Sequence, residues 1–206
     1  RGNKLSARGW STVVSAIAGL AGLCELNGWR GYGDLCRGGM EELYLKGVLH
    51  RRKVGVEAVA ALVGRSNETL TSLDLSDNHL GNEGASTLTK ALAGLSALHR
   101  LDLRGNKLSA RGWSTVVSAI AGLAGLCELN GWRGYGDLCR GGMEELYLKG
   151  VLHRRKVGVE AVAALVGRSN ETLTSLDLSD NHLGNEGAST LTKALAGLSA
   201  LHRLDL

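Results

Sequence analysis

The sequence predicts an α/β solenoid: a curved parallel β-sheet on one side and helices on the other, with no terminal caps. Three observations predict it. Residues 1–103 and 104–206 are identical at every position, so the chain is two copies of one unit. Within the unit the frame L-x-x-L-x-L recurs, as "LTSLDL" (70–75), "LHRLDL" (98–103), "LCELNG" (23–28) and "MEELYL" (40–45). Behind the first of these frames, Leu88, Ala91, Leu92 and Leu95 fall at helical spacing. One strand and one helix make one coil. A coil this small cannot bury its own apolar face and must stack on its neighbours.

The elements follow in order. Leu73 and Leu75 point to one side of an extended segment and Asp74 to the other, the period of a strand. "SDNHL" (76–80) then turns the chain. Asn78 is suited to bond backbone groups left open there, and Leu80 returns to the inside. "GNEG" (81–84) begins the return helix. The coils starting at 70 and 98 are plain and 28 residues long. The coil starting at 23 has 17 residues: Gly31 stands at its asparagine position, and only Gly33–Arg37 remain where a helix belongs. The coil starting at 40 has 30 residues, with Val48 at the asparagine position and "VLHRRKVG" (48–55) as an expanded turn. A bent or offset stack is expected at these two.

Composition narrows the rest. The formal charge of +4 is +2 per copy, too mild to argue for a nucleic-acid partner. There is no proline and no segment poor in apolar residues, so no linker divides the chain and residues 1–206 read as one continuous solenoid. The best apolar stretch, "VVSAIAGLAGL" (13–23), falls short of the roughly 18 residues of a membrane span. With neither an initiator methionine nor a signal peptide, the true start of the gene product is expected to lie outside this sequence, and targeting signals give no localisation.

The stretch "LTSLDLSDNHLGNEGASTLTKAL" (70–92) resembles a leucine-rich repeat of the ribonuclease-inhibitor-like subclass, the long helical type also found in intracellular immune receptors. The resemblance extends over the chain and is strongest in two coils of four. It implies the solenoid named above, and a subclass whose members bind many unrelated proteins.

The chain opens on "RGNKL" (1–5) and closes on "HRLDL" (202–206), two pieces that stand joined at 99–108. The ends are therefore expected to expose leucines and to be complementary in register. The favoured reading is a window from a long array or filament, with copies stacked head to tail. An engineered repeat protein is disfavoured by the uneven coils.

Candidate sites are weighed against plainer readings. The outward sheet positions are Glu25, Asn27, Glu42, Tyr44, Ser72, Asp74, Arg100 and Asp102. Tyr44 and its copy Tyr147, among charges, suit protein recognition, against simple solvation of a sheet face. "GWRGYGDLCRGG" (28–39) interleaves Trp29, Arg30, Tyr32 and Arg37; its copy holds Trp132, Arg133 and Tyr135. These residues are read first as core filler replacing the missing helix, second as a partner site, and last as an RNA-stacking loop. "HRRK" (50–53) reads first as a solvated turn. Cys24 and Cys36, and their copies Cys127 and Cys139, leave open a disulfide or reduced thiols. "NET" at Asn67, repeated at Asn170, is an N-glycosylation acceptor pattern; with the cysteine pair it leans toward an extracellular chain. No metal-ligand spacing, phosphate-cradling loop or nucleophile elbow is present, so no enzyme, metal or cofactor is expected. The expected partners are copies of the chain itself, or another protein on the sheet face.

Overall fold

The computed structural model describes residues 9, 12–13, 16–17, 40–49, 55–64, 68–140, 143–152, 159–166 and 171–206. The elements run β1 (Glu42–Tyr44), α1 (Val56–Val63), β2 (Ser72–Asp74), α2 (Gly81–Ala93), β3 (Arg100–Asp102), α3 (Ala110–Ile120), β4 (Glu128–Leu129), α4 (Tyr135–Arg140), β5 (Glu145–Tyr147), α5 (Val159–Val166), β6 (Ser175–Asp177), α6 (Gly184–Leu195) and β7 (Arg203–Asp205). Every pairing between these strands is parallel. The α/β solenoid read from the leucine frame is the fold observed.

Register explains the core. Leu43, Leu73, Leu101 and Leu129 stand side by side across β1–β4. They point inward and are buried, as are Leu45, Leu75 and Leu103 two residues on. The helices close the other side: α1 packs on α2, α2 on α3, α3 on α5 and α5 on α6. A single apolar cluster runs from Leu43 to Leu198.

Asparagines tie the turns together. Asn78 Nδ2 donates to the carbonyls of Leu45 (2.9 Å) and Leu75 (2.8 Å), and its Oδ1 accepts from the Leu49 amide (2.9 Å). The coil with Val48 at the asparagine position is thus served by the next coil's Asn78. Asn106 repeats the pattern on Leu75 and Leu103 (both 2.9 Å), and its Oδ1 accepts from the Asn78 amide (3.0 Å). Such bonds satisfy buried backbone groups that would otherwise cost about 1–3 kcal/mol each.

The expected irregularity takes a definite form. The strands make two sheets, β1–β4 and β5–β7. Strand β4 stops because Asn130 (φ 55°) and Gly131 (φ 79°) fold the chain back on itself. Leu129 and Trp132 exchange both backbone bonds, at 3.0 and 2.9 Å. This is a two-residue hairpin turn with positive φ at both central residues, the arrangement that Asn-Gly favours. Asn130 is therefore not an outward position, as reading its copy Asn27 on the sheet face implied. It is fully buried, and its Oδ1 accepts from the Leu103 amide at 2.8 Å. The short helix α4 forms where a helix remnant was expected, packing on β4 and α5. Sheet and helix layers part company here: the strands break, while α3 packs directly on α5.

Candidate protein-recognition face

The face of β1–β4 opposite the buried leucines carries two rows. Register aligns Glu42, Ser72, Arg100 and Glu128 in one, and Tyr44, Asp74 and Asp102 in the other. Period-two alternation sends these side chains outward because their neighbours in sequence are the core leucines. Tyr44 is 62% exposed and Tyr147 61%, unusual for side chains of that size. Each phenol is held in place rather than free: Tyr44 Oη donates to Glu42 Oε2 at 2.8 Å, and Tyr147 Oη to Glu145 Oε2 at 2.9 Å. That bond to a carboxylate keeps the proton on and raises both phenols above their ordinary range; the carboxylate's charge adds to it.

Ion pairs fix the rest of the face. Arg104 Nε donates to Asp102 Oδ2 at 2.9 Å, and a second contact from its guanidinium to the same carboxylate makes the pair bidentate. The hydrogen bond to Asp102 holds Arg104 above even arginine's usual range. Glu128 lies between Arg133 (3.4 Å) and Arg100 (3.9 Å). Between these side chains is a hollow of about 180 Å³ lined by Tyr44, Asp74, Arg100, Asp102, Arg104 and Glu128. Its walls alternate donors, acceptors and one aromatic ring, the mixture that suits a polar protein contact.

Of the residues singled out in the sequence, Glu42, Tyr44, Arg100 and Asp102 come together on this face, Tyr147 takes Tyr44's place on the second sheet, and Arg133 joins the first through Glu128. Trp132 and Tyr135 do not. Both are buried, Tyr135 completely, packed where the short coil has no full helix. They are core filler, the first of the readings given to them, and their burial removes them from the partner contacts of this face. Cys127 is exposed, and its Sγ donates to the His99 carbonyl at 3.3 Å; the side chain of Cys139 lies outside the described ones. Trp29, Arg30, Tyr32, Cys24, Cys36, Asn67, Asn170 and the 50–53 run lie outside the described residues. Arg104 was missed in the sequence; standing two residues after Asp102, it shares the aspartate's side of an extended chain. Among the described residues no cluster of three or more His, Cys, Asp or Glu side chains could hold a metal, and no helix is long and apolar enough to cross a membrane.

A family model described as a leucine-rich repeat matches residues 66–88 and 169–191, the same segment of each copy. No curated protein matches the chain. With the parallel strands and outer helices, the matches make the architecture that of a leucine-rich-repeat solenoid.

Proposed function

We propose that this leucine-rich-repeat chain is a non-enzymatic recognition scaffold that binds a protein partner on its strand face, once per copy. The observation that carries it is the pair Tyr44 and Tyr147: two large, exposed rings, each buttressed by a glutamate, at the same place in two identical units. An aromatic side chain already held in one position loses little freedom on binding, which is what makes such residues anchors. Repetition of the site adds avidity toward a partner that repeats its own epitope. The 13-residue α2 supports the long-helix, ribonuclease-inhibitor-like subclass, with coils of 28, 28, 17 and 30 residues. The whole chain, 1–206, reads as one continuous solenoid because one apolar cluster passes the sheet break. The test is a pull-down comparing the chain with its Tyr44→Ala/Tyr147→Ala variant. Partners should be lost with the thermal midpoint unchanged; a partner set kept in full would overturn the assignment.

A second reading is favoured by a separate observation. The two identical copies already stack on one another within the chain, α2 of the first packing on α3 of the second. Repetition of that joint from copy to copy supports a structural array stacked end to end into a filament. Sedimentation velocity over a wide concentration range checks it: association is expected, and a monomer throughout would remove the reading.

A further inference from the structure

Each copy carries the same three side chains on its strand face: Glu42, Tyr44 and Asp74 in the first, Glu145, Tyr147 and Asp177 in the second. Register sets each aspartate beside its tyrosine on the next strand, about 4.8 Å away along the sheet. The glutamate stands two residues before the ring and takes the phenol proton on Oε2. Asp74 Oδ1 accepts from the Ser76 amide at 2.8 Å, and Asp177 Oδ1 accepts from Ser179. The second oxygen of each of the four carboxylates has no hydrogen-bond partner among the described residues. In both copies an exposed ring therefore lies between two carboxylates that still have an oxygen to offer.

Among the described residues no cation pairs with these carboxylates. Lys46 and Lys149, two residues past the rings, are committed to Asp77 and Asp180, each at 3.4 Å. Arg100 leans to Glu128 at 3.9 Å, and Arg104 is closed on Asp102. The face of a phenol ring attracts a cation, and the phenol's only proton is already spent on the glutamate. The group that fits such a place donates hydrogen bonds and carries positive charge. A guanidinium does both best: it is planar, stacks on a ring and offers five N–H donors in a fixed fork, where an ammonium is a compact point charge. The chain as a whole carries +4, so a basic segment would be held by these two places and not by the overall field. We infer that the partner of the strand face presents a basic segment, with one arginine side chain lying on Tyr44 between Glu42 and Asp74 and another on Tyr147 between Glu145 and Asp177. The inference rests on the recognition-scaffold reading and supplies the chemistry of its partner.

Calorimetric titration of the whole chain with hexa-arginine, its ends acetylated and amidated, tests it against hexa-glutamate treated in the same way. The arginine peptide should bind, and more weakly as salt is raised; the glutamate peptide should not. Asp74→Asn/Asp177→Asn removes two charges while keeping an acceptor for the Ser76 and Ser179 amides, so the thermal midpoint should hold. Affinity for the arginine peptide should fall by about two- to fivefold, as for loss of a partly exposed ion pair. Glu42→Gln/Glu145→Gln, which keeps an acceptor for each phenol, should do the same, and Tyr44→Ala/Tyr147→Ala should cost more than either. Absence of arginine-peptide binding, equal binding of the glutamate peptide, or an affinity untouched by the asparagine and glutamine variants would overturn the basic partner. The face itself is judged separately by the tyrosine pull-down: partners lost there without arginine-peptide binding would keep the face and remove only its basic partner, while partners kept in full would remove the face.

Discussion

Residues 70–103 and 173–206 have one sequence and two environments. Strand, turn and helix form alike in both: β2 and β6 end on the same aspartate, and α2 and α6 begin at the same glycine. Burial does not follow. Leu101 is 1% exposed and Leu204 38%; Leu103 is 2% exposed and Leu206 71%. Polar pairing shifts too. Arg100 lies against Glu128 on the neighbouring strand, whereas Arg203 turns to Asp205 on its own strand. Local structure is thus encoded within a coil, while packing depends on the coil that follows. This is the nearest-neighbour behaviour of a stacked repeat, where stability sums coil by coil and interface by interface.

The largest test of this contrast uses the leucines. Leu103→Ala removes side-chain volume from a closed core and should cost about 2–5 kcal/mol. Leu206→Ala removes the same atoms from a surface and should cost under about 1 kcal/mol. Denaturant midpoints of the two variants read the difference directly. Equal costs would mean that Leu206 is covered in solution as Leu103 is, and that the contrast between the two copies does not hold there.

Next come the asparagines, where the copies should agree. Asn78 and Asn181 are both buried, and each bonds backward, Asn78 to the Leu45 carbonyl and Asn181 to the Leu148 carbonyl. Both coils have a predecessor, so Asn78→Ala and Asn181→Ala should each cost about 2 kcal/mol through stranded backbone groups. Unequal losses would show that the ladder depends on the following coil after all. A smaller contrast lies in the turn glycines. Gly105 (φ 71°) has Asp77 Oδ1 2.0 Å from where a Cβ would sit, while Gly184 (φ 61°) has nothing within 4 Å. Both substitutions to alanine carry the left-handed penalty of about 1 kcal/mol, and Gly105→Ala should exceed Gly184→Ala because Asp77 must also move.

The leucine frame made the fold legible because it states two periods at once: alternation for the strand, then helical spacing. The outward rows were legible for the same reason. Where the reading failed, a local motif overrode the frame. Asn130 and Gly131 fit the frame's outward and inward positions, yet Asn-Gly is also the strongest short-range turn signal, and it folds β4 back before a third strand residue can form. Trp132 and Tyr135 follow the first reading given to them: the coil is too short for a full helix, and the two buried rings fill its place. Cys127 and Cys139 stay open between two readings because spacing alone says nothing of the direction in which each side chain points.

The finest difference between the copies is a single hydroxyl. Ser179 Oγ donates to Asp177 Oδ1 at 2.6 Å, and the Ser179 amide donates to the same oxygen at 2.9 Å. These two bonds, the hydroxyl's first, hold the Asp177 carboxyl below its ordinary range, with Lys149 and Arg203 assisting. In the first copy the Ser76 amide makes the matching bond to Asp74 at 2.8 Å, but Ser76 Oγ is buried with no hydrogen-bond partner among the described residues. Ser179→Ala should therefore raise the Asp177 pKa toward the usual carboxylate value, read by NMR titration of its carboxyl carbon. The sign follows from linkage: a depressed folded-state pKa contributes stability above the unfolded carboxylate's pKa, and that contribution fades as pH falls through the folded one. The acid limb of the stability curve should accordingly be shallower in Ser179→Ala. Ser76→Ala removes a buried hydroxyl that bonds nothing, so it should be neutral or stabilising by up to about 1 kcal/mol. A clear loss of stability in Ser76→Ala would mean that its hydroxyl finds a partner under the next coil, and that the covered copy satisfies its polar groups as fully as the open one.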